Sequence, residues 1–108
     1  MIRGDICYAD LDPSIGSEAN KRRPCLIVSN DANNRAANTI TVLPVTSNVE
    51  RIYPFEVLVE TELGKPCKVQ INQVRTISKQ RLSGAPLTRL PEETMHLVDD
   101  ALRLHLDL

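Results

Sequence analysis

A series of short β-type segments, separated by polar turns and followed by one amphipathic helix, constrains the fold of this sequence most strongly. The run Cys25-Leu26-Ile27-Val28 is continuously apolar, which predicts a strand buried on both faces. Thr39 to Val45 is rich in β-branched residues, which also favours a strand. Further strands are predicted at residues 6–9, 55–60, 67–71 and 74–77, with a last short strand within 81–87.

The segments between these strands are predicted to be loops, the longest at residues 14–22 and 29–38. Pro44 lies inside a predicted strand, so we expect it at a bulge or on an edge strand, where no backbone donor is needed.

Only the end of the chain is predicted to be helical. Pro91 fits the first helical position, and Glu92 and Glu93 favour the N-terminal end of the helix dipole. An apolar face at helical spacing follows, made by Met95, Leu97, Val98, Ala101, Leu102 and Leu104. We therefore expect a mainly β (α+β) protein, a curled antiparallel sheet with a C-terminal helix.

The length of 108 residues predicts a single domain spanning residues 1–108. The first residues have no apolar segment of the signal-peptide type, and no apolar run approaches the ~20 residues of a membrane span. We therefore expect a cytoplasmic protein that contacts no membrane.

The three cysteines, Cys7, Cys25 and Cys67, show neither a CxxC pair nor zinc-ligand spacing. Cys7 and Cys25 lie in apolar runs, so buried free thiols are expected rather than disulfides or metal ligands.

Charge is unevenly distributed although the net charge is only −1. The stretch from Leu63 to Leu90 contains basic residues and no acid, whereas the chain after Pro91 is mostly acidic. This asymmetry suits an anion-binding groove with an acidic opposite side, and equally an ordinary solvated surface. The basic residues of the stretch are Lys65, Lys68, Arg75, Lys79, Arg81 and Arg89.

Several familiar catalytic arrangements are absent from the sequence. His96 and His105 are nine residues apart on the predicted helix and would project from opposite sides, so they do not form a catalytic pair. No phosphate-binding GKS/T loop, HExxH motif or carboxylate cluster for metal ions is found, so we expect no metal or other cofactor.

What remains is arginine, hydroxyl and amide chemistry at the ends of strands. Arg23 ends a polar loop just where a buried strand begins, and its planar guanidinium matches a phosphate. Thr46 offers a hydroxyl at the end of another strand. Gly16-Ser17-Glu18 supplies a hydroxyl and a carboxylate in a turn. Each motif alone is also explained by turn chemistry.

Taken in order, these motifs resemble the MazF/PemK toxins over nearly the whole chain. The motifs that carry the resemblance are Arg3-Gly4-Asp5, Gly16-Ser17-Glu18, Arg23-Pro24 before an apolar strand, Pro44-Val45-Thr46-Ser47, Gln73-Val74-Arg75-Thr76-Ile77 and Lys79-Gln80-Arg81-Leu82.

The resemblance implies an SH3-like barrel with a C-terminal helix, assembled as a homodimer. It implies sequence-specific cleavage of single-stranded RNA to 2′,3′-cyclic phosphate and 5′-hydroxyl ends, without a metal. It also implies a cognate MazE-like antitoxin whose acidic C-terminal tail occupies the RNA groove.

By the same resemblance, Arg23 and Thr46 are the catalytic residues. Ser17 and Glu18 belong to a loop that shapes the active site, and Gln73 contacts RNA. Lys21, which lies beside these motifs, and Arg75, which lies within one of them, complete the set of candidate RNA-binding or active-site-loop residues.

Two other functions are compatible with the same fold. One is a gyrase-inhibiting toxin, and the other is a barrel that binds RNA without cleaving it. Aromatic residues for base stacking are few. Tyr53 is a candidate, although it would equally pack against Phe55.

Overall fold

The computed structural model describes all 108 residues. Its helices and strands, in chain order, are β1 (Asp5–Asp10), β2 (Arg22–Ile27), α1 (Asp31–Ala36), β3 (Thr39–Thr46), β4 (Glu56–Val59), β5 (Cys67–Gln70), β6 (Arg75–Ser78), β7 (Leu82–Arg89) and α2 (Glu92–Leu106). Two single turns of 3-10 helix, Ile71–Gln73 and Lys79–Arg81, precede β6 and β7.

The strands form one antiparallel sheet in the order β4-β5-β3-β2-β1-β7, and β6 pairs with β3 beside this path. The predicted class, a mostly antiparallel sheet with a C-terminal helix, is confirmed. The sheet does not close into a complete barrel, because its end strands β4 and β7 do not pair with each other.

Pro44 was predicted at a bulge or on an edge strand. It lies in β3 inside the sheet, so the edge-strand alternative was wrong. On one side of β3, residues 39–42 pair with β6 and residues 45–46 pair with β5. Pro44 faces Cys25 of β2 and falls between these two partners. The missing N–H therefore lies where β3 changes partner, and no ladder hydrogen bond is lost there.

Both faces of the sheet are covered by apolar clusters, and β2 contributes to both. Leu26 belongs to the larger cluster, which packs against α2, while Cys25 and Ile27 belong to the smaller one. Successive residues of a strand point to opposite faces, so a strand between two cores is apolar at every position. The prediction that this strand is buried on both faces is confirmed.

The C-terminal helix α2 begins at Glu92, with Pro91 as the N-cap rather than the first helical residue. Its buried face is made by Met95, Val98 and Ala101. Leu97 and Leu104, predicted for the same face, are exposed. No helix of the structure is both long and apolar enough to cross a membrane.

The polar segment 29–38, predicted to be a loop, contains the short helix α1. Asn30 caps this helix by accepting a hydrogen bond from the Asn33 N–H at 2.9 Å. The Asp31 carboxylate accepts a hydrogen bond from the Arg3 N–H at 2.7 Å, which ties α1 to the start of the chain. This helix has only six residues, four of them polar, and no apolar periodicity, so side-chain caps and tertiary contacts form it.

All three cysteines are buried free thiols, as predicted. Cys7 and Cys25 face each other across β1 and β2. Burial raises the pKa of the Cys25 thiol to about 12 and also raises the pKa of the Cys7 thiol. Both thiols therefore stay protonated at neutral pH and act as small apolar core residues.

Candidate active site

A cleft of about 450 Å³ is lined by residues of five strands, β5, β3, β2, β1 and β7, and by the loop that precedes β5. It contains three cationic side chains and one carboxylate, so it has a net positive charge suited to a polyanion. The residues that line it are Tyr8, Arg22, Arg23, Pro24, Val45, Thr46, Ser47, Glu62, Leu63, Lys65, Cys67 and Leu87.

Arg23 lies at the start of β2, with its guanidinium held by a single residue of the preceding loop. Its Nε donates to the Asn20 carbonyl oxygen at 2.7 Å, and its Nη2 donates to the Asn20 side-chain oxygen at 3.3 Å. Arg23 forms no ion pair with a carboxylate. Its orientation is thus fixed while its charge and its remaining N–H groups stay available to an anion.

Thr46 is the last residue of β3 and lines the same cleft. Its hydroxyl oxygen accepts a hydrogen bond from the Asn48 N–H at 3.3 Å. Because a hydroxyl has one proton to donate besides its acceptor positions, the proton of Thr46 is available to an oxygen of a bound ligand. The structure therefore brings Arg23 and Thr46, the two residues expected to be catalytic, into one cleft.

The loop residues Ser17, Glu18 and Lys21 do not line the cleft. The Glu18 carboxylate accepts a hydrogen bond from the Ile15 N–H at 2.9 Å, so it closes its own turn. Lys21 has a positive φ of 66°, and its N–H donates to the Asp12 carboxylate at 3.0 Å. In this conformation these residues shape the loop that leads into Arg23.

Gln73, expected to contact RNA, is occupied by the same loop. Its side-chain oxygen accepts from the Ala19 N–H at 3.1 Å, and its Nε2 donates to the Ser17 carbonyl oxygen at 3.1 Å. Arg75 also lies outside the cleft and donates from Nη1 to the Leu11 carbonyl oxygen at 3.3 Å. Both side chains brace the segment that connects β1 and β2.

The basic residues from Lys65 to Arg89 do not line one groove, so the anion-groove interpretation was wrong for most of them. Lys65 lines the cleft. Lys68 is buried 3.0 Å from a Glu56 carboxylate oxygen, and Arg89 lies 2.9 Å from Asp5. The basic residues of this stretch lie in different parts of the fold because β5, β6 and β7 occupy separate places in the sheet.

Sequence reasoning missed Arg22 and Tyr8, which line the cleft beside Arg23. The Arg22 guanidinium carbon lies 4.1 Å above the Tyr8 ring centroid. The adjacency of Arg22 and Arg23 was a usable signal. The stacking on Tyr8 follows from the pairing of β1 with β2, which the sequence does not state.

Tyr53 is both exposed and packed. An exposed ring available for base stacking and a ring packed on Phe55, the two interpretations of this residue, are therefore compatible. It is 40% exposed, and its ring stacks on Phe55 with 5.2 Å between centroids. Its hydroxyl accepts a hydrogen bond from Arg51 at 3.2 Å. Tyr53 lines a separate hollow of about 360 Å³ with Arg51 and Lys68.

The two histidines are exposed on α2, and neither lines the cleft. The nearest charged partner of His96 is Glu92, 3.6 Å away on the same helix. No three His, Cys, Asp or Glu side chains are grouped closely enough to hold a metal ion.

Comparison with known proteins identifies the family. Residues 2–106 match the model of the PemK-like, MazF-like toxins of type II toxin–antitoxin systems. The chain is 47% identical to Endoribonuclease MazF9 of Mycobacterium tuberculosis, covering 100% of this chain and 98% of that protein. It is 36% identical to Endoribonuclease EndoA of Bacillus subtilis, covering 98% and 94%. The chain therefore belongs to the PemK/MazF toxin family, as its motifs predicted.

Solved structures show the same fold. MazF of Deinococcus radiodurans superposes with a TM-score of 0.89 at 27% identity, covering 100% of this chain and 97% of that one. A mycobacterial endoribonuclease in complex with its cognate antitoxin gives a TM-score of 0.83 at 27% identity, covering 100% and 96%. The names of these relatives agree with the predicted endoribonuclease activity and do not favour the gyrase-inhibitor alternative.

Proposed function

We propose that this chain is a sequence-specific endoribonuclease, the toxin of a toxin–antitoxin pair, and that it cleaves single-stranded mRNA without a metal ion. The observation that carries the proposal is the placement of Arg23 and Thr46 in one positively charged cleft. The names of its relatives MazF9 and EndoA support the same activity.

The proposed reaction is an internal transesterification. The 2′-hydroxyl of one ribose gives its proton to water and its oxygen attacks the adjacent phosphorus. The bond to the 5′-oxygen breaks, this oxygen takes a proton from water, and a 2′,3′-cyclic phosphate and a 5′-hydroxyl are formed. Negative charge grows on the non-bridging oxygens, where Arg23 donates through its planar N–H groups and Thr46 donates through its hydroxyl.

Arg23 stabilises charge in this proposal and does not transfer a proton. The guanidinium of an arginine stays protonated at neutral pH, so its neutral form is too rare to act as a general base. Its fixed position is an advantage for charge stabilisation, because donors that are already oriented need no reorganisation during the reaction.

The loop that carries Ser17, Glu18 and Lys21 has a positioning role in this proposal. It ends at Lys21, two residues before Arg23, and Gln73 fixes it through Ser17 and Ala19. Arg75 supports its first residue, Leu11. A partner that shifts this loop would displace Asn20, the residue that holds the Arg23 guanidinium.

The proposed partners are a MazE-like antitoxin and a second copy of the chain. The solved complex of a mycobacterial relative with its antitoxin supports the first. An acidic C-terminal antitoxin tail would compete with RNA for the cationic cleft, so both associations should slow as salt concentration rises.

The proposed homodimer is supported by the exposed apolar residues Leu97, Leu104 and Leu108 of the C-terminal segment. Sedimentation of the purified toxin tests it directly. The cellular site that we propose is the cytoplasm, where messenger RNA is translated.

The ribonuclease proposal is tested by incubating the purified protein with a long single-stranded RNA in excess EDTA. We expect discrete fragments whose 5′ ends accept phosphate from a kinase without prior phosphatase treatment. The same sequence made of 2′-O-methyl nucleotides should stay intact, because it lacks the attacking hydroxyl. RNA that stays intact across substrates covering every short sequence would refute the proposal. Inhibition of gyrase, or RNA binding without cleavage, would then identify the alternative.

A further inference from the structure

Arg22 is held in the cleft by contacts that differ from those of Arg23. Its guanidinium lies face-on above the Tyr8 ring at 4.1 Å, and its Nε donates to the Ser83 hydroxyl at 3.1 Å. Tyr8 and Ser83 face each other across β1 and β7, so the ring and the hydroxyl form one surface. The stacking and the hydrogen bond together fix a side chain that is otherwise flexible.

The charge of Arg22 is not neutralised by the protein. Asp10 is its partner in the β1–β2 register, yet Arg22 forms no ion pair. Only Nε has a hydrogen-bond acceptor, so the N–H groups of Nη1 and Nη2 are free. A fixed, exposed guanidinium with a free edge is suited to a phosphate.

The strand order separates this guanidinium from Thr46. Arg22 leans from β2 towards β1 and β7, whereas Thr46 lies on β3, on the other side of β2. Neighbouring strands are ~4.8 Å apart, so β1 and β3 are about 10 Å apart. The Arg22 guanidinium thus lies over β1 rather than over β3, a position that favours a phosphate other than the one bound by Thr46.

We propose that Arg22, positioned by Tyr8 and Ser83, binds a second phosphate of the RNA strand, next to the phosphate held by Arg23 and Thr46. This inference rests on the proposed ribonuclease function and adds a binding site to it. The strand would run across the sheet, from the β3 side of the cleft towards β7, with Leu87 at the far end.

The test measures binding of a 2′-O-methyl oligonucleotide with the sequence that the wild-type enzyme cleaves best. Fluorescence anisotropy over a series of salt concentrations gives the slope of log K against log salt. Arg22→Gln should reduce the size of this slope by about 0.7, the value for one phosphate contact on a single strand. Arg22→Lys should keep the slope and bind more weakly, because it loses the planar stacked group.

Arg103→Gln is the matched control, since Arg103 pairs with Asp100 on the exposed side of α2. We expect it to bind like the wild type. A neutral methylphosphonate replacing each phosphate in turn then locates the contact. At one position beside the scissile phosphate it should weaken the wild type and leave Arg22→Gln unaffected.

An unchanged salt slope in Arg22→Gln would overturn the inference, as would a change of preferred base at one position without a change of slope. The second result would assign Arg22 to a base edge. In both cases wild-type cleavage would leave the ribonuclease proposal standing. A wild type that cleaves no RNA would instead refute that proposal and this inference with it.

Discussion

The arginine and lysine side chains that pair with carboxylates all lie outside the cleft, whereas those that line it have no carboxylate partner. Lys68 is buried against Glu56, Arg89 pairs with Asp5, and Arg3 pairs with Asp99. In the cleft, Arg22 and Arg23 form no ion pair and are fixed by an aromatic ring, a hydroxyl and an amide.

An ion pair therefore marks a structural charge, but its absence alone does not mark a binding site, because Arg75 is also unpaired and lies outside the cleft. A buried cation needs a carboxylate because an isolated charge in the interior is strongly destabilising. A cation that binds phosphate gains from being oriented by neutral groups, since a carboxylate partner would compete with the ligand. Exposure alone does not distinguish the two sets, because Arg89 is largely exposed and still paired.

The largest effect on stability is expected at the buried pair. Lys68→Met leaves the Glu56 carboxylate buried without its counter-charge, and should lower the free energy of unfolding by about 3–5 kcal/mol. Urea denaturation measures this effect. Arg103→Met, which breaks an exposed pair, should change it by less than ~1 kcal/mol. Equal losses in both variants would remove the distinction between buried and exposed pairs.

The next effect concerns catalysis rather than stability. Thr46→Val removes the hydroxyl at nearly constant volume, so the single-turnover cleavage rate should fall about 10- to 100-fold, the value of one hydrogen bond to a charged group. Thr46→Ser should retain most of the rate. Thr39→Val, at the exposed other end of β3, is the control. A Thr46→Val enzyme as fast as the wild type would exclude Thr46 from the reaction.

A smaller, local effect is expected at Gln73. Gln73→Ala removes two hydrogen bonds to the loop, each contributing ~1 kcal/mol, so hydrogen exchange of the Ala19 N–H should accelerate by about tenfold or more. Gln80→Ala, at an exposed position in the turn before β7, should leave that exchange unchanged. Unaltered exchange at Ala19 together with weaker RNA binding would show that Gln73 contacts RNA, as the family resemblance implies.

The smallest effect is a pH dependence at Asp31. The hydrogen bond from the Arg3 N–H holds the pKa of the Asp31 carboxyl below its ordinary value. A lowered pKa contributes stability above the unfolded value of ~3.9, and this contribution is lost as pH falls through the folded value. Wild type should therefore be more stable than Asp31→Asn at pH 7, and the difference should shrink below about pH 4. A difference that stays constant with pH would contradict this account.

The sequence predicted the strands and α2 well because their patterns are local. Continuous apolar residues in β2 and helical spacing in α2 reflect burial, which hydrophobic periodicity reports directly. The helix α1 was missed because capping by Asn30 and the contact with Arg3 form it, rather than any periodicity. The place of Pro44 depends on two partners of β3, which only the tertiary fold defines.

The candidate site was predicted only in part, because some of its contacts depend on the tertiary fold. The order of motifs identified Arg23 and Thr46, and the fold brings them together. The engagement of Gln73 and Arg75 with the loop was not readable, because both contacts join residues more than fifty positions apart. The contacts of Arg22 could not be predicted either, since Tyr8 and Ser83 become neighbours only through strand pairing.

The most direct test of the central claim is the single-turnover cleavage rate of Arg23→Lys in excess EDTA, measured beside wild type and Arg103→Lys. Lysine keeps the positive charge and loses the planar donor group that Asn20 orients. We expect the rate to fall about 10²- to 10³-fold, as for loss of an oriented donor to the transition state, with the melting temperature unchanged. Cleavage at the wild-type rate by Arg23→Lys would contradict the assignment of this cleft as the catalytic site.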